Sequence, residues 1–308
     1  MKALFPHSLL SRLVAVAGLT TGLLAGTAAP AAMLQQPLQA GGGGVPPNLV
    51  FTLDDSGSMW WECLPDSLCT SGSNGLEAIP KRDAVSTSNR LGTIVYDDVP
   101  VKDGSTTKWS AAANLLSRQM RSSAYNPLYY NPAVQYKPWL KGDGTRWPDA
   151  APAAAPVLAG ASQTQNLTGV QTVTNKWCAP NATGGASTST CYDSTTQTAH
   201  LARYYTMAGT GSSAGNFTLV KIESTNNSYP KGADRADCAG STCTYAEEIQ
   251  NFANWYTYYR TRALTAIGGT AEAFAAVPED YRVGYGRINK TGATSIDGKN
   301  FATLERGV

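Results

Sequence analysis

Three oxygen-bearing side chains stand at alternate positions in TLDDSGSM, residues 52 to 59: Asp54, Ser56 and Ser58, with Gly57 free to bend between the serines. A carboxylate and two hydroxyls turned toward one point are hard donors, suited to Mg2+, Mn2+ or Ca2+ rather than zinc. One carboxylate leaves positions for water and for an acidic group from a partner, so the ion would join two proteins rather than catalyse. A solvated turn that caps the next element uses the same residue types. The preceding run favours the cation. NLVFTL, Asn48 to Leu53, is apolar and of strand length, as in a parallel sheet covered on both faces. Ligands of open α/β sheets bind just beyond such strand ends. By alternation Asp55 points elsewhere.

Other chemistry is sparse. His7 and His200 are the two histidines of the 308 residues, too few for a multi-histidine zinc site and thin support for a Ser-His-Asp arrangement. The acidic pairs Glu247-Glu248 and Glu279-Asp280 fall at a helix start and before a strand. Capping and solvation account for them better than acid/base catalysis does. The six cysteines form three close pairs, Cys63 with Cys69, Cys178 with Cys191 and Cys238 with Cys243. In an exported chain these read as short-loop disulfides, although six cysteines allow fifteen connectivities. None of the spacings is that of a zinc knuckle.

Residues 1–31 carry Lys2 and Arg12, then LVAVAGLTTGLLAG, then TAAPAA, the charged, apolar and small-residue order of a secretory signal. Its apolar core is shorter than the roughly 20 residues of a membrane span. No membrane span is expected after signal cleavage. The 24 basic residues less these two are 22, against 22 acidic; a neutral chain without a basic stripe argues against nucleic acid as partner. Residues 32–47 read as a Gly/Pro-rich linker.

From 48 to 308 the order reads strand, large insertion, helix, strand and the start of another strand. The insertion, about 60–243, is rich in Gly, Ser, Thr, Asn, Pro and Tyr. It holds one plausible helix, Thr106 to Ala124, then a Pro/aromatic stretch, YNPLYYNPAVQYKPW, that forbids regular helix. The tyrosines of that stretch are expected to pack against the sheet and anchor the insertion. NATGGASTSTCYDSTTQT reads as an exposed, disulfide-tied loop. Beyond it, Ile249, Phe252, Tyr256, Tyr259, Ala263, Ile267, Ala271 and Phe274 step by three or four, predicting one long amphipathic helix. Thr244 and Glu247 predict its capping box. Half of the aromatic cluster NWYTYYR is expected in the core and half under the insertion. YRVGYGRIN alternates as a strand, so a right-handed crossover makes it parallel to the first. This is the first half of an α/β sheet, and a longer natural protein is expected.

NLVFTLDDSGSM resembles the first strand and metal-ion-dependent adhesion motif (MIDAS) of von Willebrand factor A domains. Together with YNPLYYNPAVQYKPW, NFANWYTYYRTRAL and YRVGYGRIN, it resembles the amino-terminal region of PilY1/PilC-type type IV pilus tip proteins. The resemblance implies a partial von Willebrand factor A-like, Rossmann-like α/β core. It implies a non-enzymatic pilus biogenesis and adhesion factor, secreted through the periplasm to the cell surface and pilus tip. Pilus subunits or minor pilins, and host-surface proteins, are the implied partners. A carboxyl-terminal β-propeller with a calcium site, which this sequence does not contain, is implied as well. The family's metal site takes a further threonine, often in a Gly-Gly-Thr context; here IGGT, Ile267 to Thr270, lies within the helical period. The threonine ligand is therefore expected beyond Val308, and cation binding by this chain is expected to be weak. The alternative class is an exported carbohydrate-active or other hydrolytic enzyme.

Overall fold

The computed structural model describes residues 47–66, 118–173, 176–180, 186–193 and 197–289, the strand segments 102–103, 106–107, 294–296, 299–301 and 304–306, and residues 115 and 292. The expected signal, the linker through Pro46 and Cys69 lie outside the described residues. The main elements are β1 (Asn48–Leu53), β2 (Val170–Val173), β3 (Lys176–Pro180), β4 (Ala186–Asp193), β5 (Gln197–His200), β6 (Arg203–Met207), β7 (Phe217–Lys221), α1 (Tyr245–Tyr258), α2 (Arg262–Ala275), β8 (Arg282–Arg287) and β9 (Leu304–Arg306). The result is a mixed helix-and-strand protein with small sheets. Among the described residues no helix is long and apolar enough to cross a membrane.

The single long helix predicted from the apolar period is two helices. Thr244 caps α1 as its capping box predicts, with the Glu247 carboxylate accepting from the Thr244 amide at 2.7 Å. The helix ends at Tyr259, and Thr261, in extended backbone, caps α2 by accepting from the Leu264 amide at 3.2 Å. Between them Arg260 turns its guanidinium inward, donating to the carbonyls of Tyr256 and Val157 and to Glu62. In sequence the apolar period runs on through the break, so periodicity alone could not show it; the buried residues of α2 are Leu264 and Gly268, whereas Ile267 of the predicted stripe is exposed. The helix predicted at Thr106 to Ala124 differs too: Thr106–Thr107 is a strand, and helix is described only at Leu115 and at 118–120.

β1 and β8 are parallel, in register from Asn48 opposite Arg282 to Leu53 opposite Arg287, as the crossover argument predicts. β9 is antiparallel on the other side of β8, with a register shift at Tyr285/Gly286. Phe274 of α2 meets Phe51 edge-on at 5.4 Å. Burial of β1 on both faces is not found: Val50 is 52% exposed, and β1 is the sheet edge among the described residues. The apolar run suits two covered faces, and α2 supplies one of them.

The larger core lies around α1. Ile249 and Phe252 through Tyr258 are all buried, so this helix is enclosed on every side, unlike a surface helix with one apolar stripe. Tyr129 and Tyr130 pack on Trp255 and Phe252, with ring centroids 4.8 and 5.0 Å apart. They anchor the insertion on the helix rather than on the sheet. The Pro-rich segment is held by polar groups of α1: Asn251 accepts from the Tyr136 amide at 2.7 Å, and Asn254 from the Ala150 amide at 2.9 Å. The stretch expected as an exposed loop contains β4, an antiparallel partner of β3; its alternating Ser, Thr and Tyr suit a pleated strand.

Glu248, expected to be solvated, is wholly buried. It accepts from Arg235 at 2.7 Å and from the Tyr130 hydroxyl at 2.8 Å, and Arg235 makes a bidentate pair with Asp237. Burial pushes the Glu248 carboxyl up, against the pull of Arg235. Removing Glu248 leaves the buried Arg235 with its Asp237 pair and takes the acceptor from the buried Tyr130 hydroxyl, so Glu248→Ala is expected to cost about 1–3 kcal/mol in urea unfolding.

Burial also raises the phenols of Tyr136 and Tyr258 to about 12, whereas an unfolded tyrosine ionises near pH ~10. The native state then holds more protons above pH ~10, so stability is full below that pH and falls as pH rises toward about 12. Thermal melts across this range, read with phenolate absorbance, should show ionisation arriving together with unfolding.

Candidate functional site

The cradle forms where β1 leaves the sheet. Leu53 still accepts from the Ile288 amide at 3.2 Å, after which the chain turns into a short 3-10 segment, Gly57–Trp60. Asp54 accepts from the Ser56 amide at 2.9 Å, and the Ser56 and Ser58 hydroxyls lie 3.1 Å apart. All three side chains are half-buried. The Ser56 amide, and after it the Ser56 hydroxyl, hold the Asp54 carboxyl below its ordinary value, so it is ionised at neutral pH.

The two hydroxyls are spaced as neighbouring ligands of a small hard cation would be. Neighbouring ligands of an octahedral ion at about 2.1 Å are about 3.0 Å apart, close to the observed spacing of the two hydroxyls. Asp55 turns the other way, accepting from the Asn289 amide at 2.7 Å, with Arg287 at 3.5 Å. Among the described residues no three His, Cys, Asp or Glu side chains group to hold a metal; the donors here are one carboxylate and two hydroxyls.

The segment after the cradle is gripped from two sides, which the sequence reading missed. Arg262 donates from its backbone to Trp61 at 3.2 Å and from its side chain to the Cys63 carbonyl at 2.9 Å and to Asp66 at 2.5 Å. Its guanidinium also lies 5.2 Å from the centre of the Trp61 ring. Arg260 pairs with Glu62 at 3.1 Å, both side chains 7% exposed. Asn126 donates to the Glu62 carbonyl at 2.8 Å and accepts from the Leu64 amide at 3.0 Å. Two arginines inside an otherwise apolar helical period were the available signal.

The remaining predicted residues are spread through the molecule. Cys238 and Cys243 are bonded to each other. Cys63 is buried and disulfide-bonded, with the proposed partner Cys69 outside the described residues. Cys178 and Cys191 stand opposite each other in the β3–β4 register. Glu247 and Glu248 form no dyad, because one caps α1 and the other is buried against Arg235. Thr270 lies within α2, not on a loop, and lines open apolar clefts of about 470 and 260 Å3 with Phe51, Leu53 and Phe274.

No family model and no solved structure matches the chain. Curated relatives do. It is 30% identical over 269 residues, 85% of its length, to the type IV pilus biogenesis factor PilY1 of Pseudomonas aeruginosa strain UCBPP-PA14. It is 26% identical over 86% and 91% of its length to PilY1 of strains PAK and PAO1. The chain spans 18–19% of the length of these relatives.

The two glycines of IGGT are not equivalent, and this tests their helical placement. A Cβ on Gly268 would stand 2.9 Å from the Tyr259 ring and 3.0 Å from the Trp139 ring, whereas one on Gly269 meets nothing within 4 Å. Gly268→Ala is expected to destabilise by about 1–3 kcal/mol through overpacking. Gly269→Ala should stabilise by up to about 1 kcal/mol through helix propensity. Paired denaturation curves read both.

Proposed function

We propose that this chain, PilY1-like over most of its length, is part of a secreted type IV pilus biogenesis and adhesion factor that acts at the cell surface and pilus tip. The similarity to three PilY1 relatives over 85–91% of the chain carries this reading. The partners it proposes are pilus subunits or minor pilins, and host-surface proteins. The core it proposes is von Willebrand factor A-like, supported by parallel β1 and β8, by α2 on one sheet face and by a cradle at the carboxyl end of β1.

Within that reading, Asp54, Ser56 and Ser58 hold Mg2+, Mn2+ or Ca2+. When bound, the ion supplies Lewis-acid sites open to a partner's carboxylate. The chain's own residues do the rest. Ser56 donates its amide to orient Asp54, the paired hydroxyls fix each other's spacing, and Asn289 and Arg287 hold Asp55 out of the cradle.

Thermal melts of the full chain with each of the three cations should show an upward shift that Asp54→Ala abolishes. Because the bond that the half-buried Asp54 makes among the described residues is local, that variant should melt within about 2 °C of the wild type without cation. If all three ions leave the wild type unmoved, the cation site is lost as a reading. In a bacterium carrying the gene, Asp54→Ala should preserve export and lower adhesion; loss of the whole gene should also reduce surface pili. Normal piliation and adhesion in the deletion strain would overturn the pilus assignment.

A further inference from the structure

The cradle is strung between two anchors of different kinds. On its amino-terminal side β1 is fixed in the sheet, and Asp55 is tied to Asn289 and Arg287 at the end of β8. On its carboxyl-terminal side the anchor is the grip on residues 61–66. Between these anchors the described bonds within the cradle are local: Asp54 to Ser56, Ser56 to Ser58, and the 3-10 turns. Ser58 lies in that turn, and its carbonyl accepts from the Trp61 amide at 3.1 Å. The residue that bonds Ser58 is therefore also the one whose carbonyl and ring Arg262 engages.

We infer that Arg262 is a positioning residue for the cation cradle, setting the Ser58 hydroxyl through Trp61 while Arg260 and Glu62 fix the neighbouring peptide. This rests on the cation reading of Asp54, Ser56 and Ser58. Arg262 is suited to the task because one planar guanidinium serves the Cys63 carbonyl, the Asp66 carboxylate and the Trp61 ring together, which a lysine ammonium could not. It is the first residue of α2, whose other end packs Phe274 on Phe51 of β1. One rigid helix thus touches both sides of the cradle, at Phe51 in β1 and at residues 61–66 beyond it. The opposite wall of the grip is Asn126, which belongs to the insertion and bonds on both sides of Cys63. The position of the insertion on α1 and the geometry of the ion site are thereby coupled through four residues, Trp61 to Leu64.

The test is Mn2+ affinity of the full chain, measured as free ion by electron paramagnetic resonance. Loss of a group that orients metal ligands typically costs about 10–100-fold in affinity, and Arg262→Met is expected to fall in that range, with Arg262→Lys between it and wild type. Arg146→Met, which removes the ion pair to Glu272 elsewhere on α2, serves as control and should change affinity less than about twofold. Should Arg262→Met fail to fold, Trp61→Leu decides, since it keeps every Arg262 hydrogen-bond acceptor and removes the ring; about fivefold weakening is expected. Wild-type affinity in the folded Arg262→Met, or in Trp61→Leu, overturns the inference, as does equal weakening by Arg146→Met. A wild type that binds no Mn2+ overturns the cation reading itself and this inference with it.

Discussion

A proline-rich segment satisfies only part of its own backbone through turns, and in residues 126–157 side chains of α1 take up much of the rest. Asn251 accepts from the Tyr136 amide and donates to the Val134 carbonyl; Asn254 accepts from the Ala150 amide and donates to the Tyr136 carbonyl. Thr257, Tyr258 and Trp255 donate in turn to the carbonyls of Pro156, Pro148 and Leu128. Buried backbone groups must find partners, and this irregular segment finds them in its own turns and on the face of α1 that carries Asn251, Asn254, Trp255, Thr257 and Tyr258. The helix is therefore enclosed, and its aromatic residues fill the space between the polar contacts. The buried pairing of Arg235 with Glu248 closes the same shell at the start of the helix.

The second helix lives under a different rule. Among its residues Leu264 and Gly268 are buried, and its contact with the sheet is the edge-on pair of Phe274 and Phe51. The change of regime happens within three residues, Tyr259 to Thr261. There Arg260 satisfies the last turn of α1 and reaches Glu62, and Thr261 starts α2. A break at this point lets one helix serve the insertion and the other the sheet, with the cradle's exit segment pinned at the joint. A continuous helix would place Arg260 and Arg262 about 200° apart, on opposite faces, instead of turning both toward residues 61–66.

What the sequence disclosed followed from local chemistry. The capping box of Thr244, the parallel pairing of Asn48–Leu53 with Arg282–Arg287 and the helical placement of Thr270 were all legible, because each depends on neighbours in sequence or on a chirality rule. The break at Thr261 was not, since an apolar period that runs on in sequence through Ile267 and Phe274 looks the same with or without it. Glu248 was misread as solvated because its partner, Arg235, is thirteen residues away in a segment with no periodicity. Exposure of Val50 escaped for a different reason: an apolar run says what a strand can bury, not how much of the sheet covers it.

At the cradle, two adjacent carboxylates do different work. Asp55 is bonded to the Asn289 amide and lies beside Arg287, so its charge is largely answered within the chain. Among the described residues Asp54 receives the Ser56 amide and hydroxyl, which keep it ionised without neutralising it. A divalent ion held by Asp54, Ser56 and Ser58 would still carry about one unit of uncompensated positive charge, taking one carboxylate against a 2+ ion. A partner's carboxylate would remove that excess and fill an open position, so ion and partner would each raise the other's affinity by the same factor. The single-carboxylate design is thus poor for storing a metal and well matched to adhesion, which is the role proposed for it.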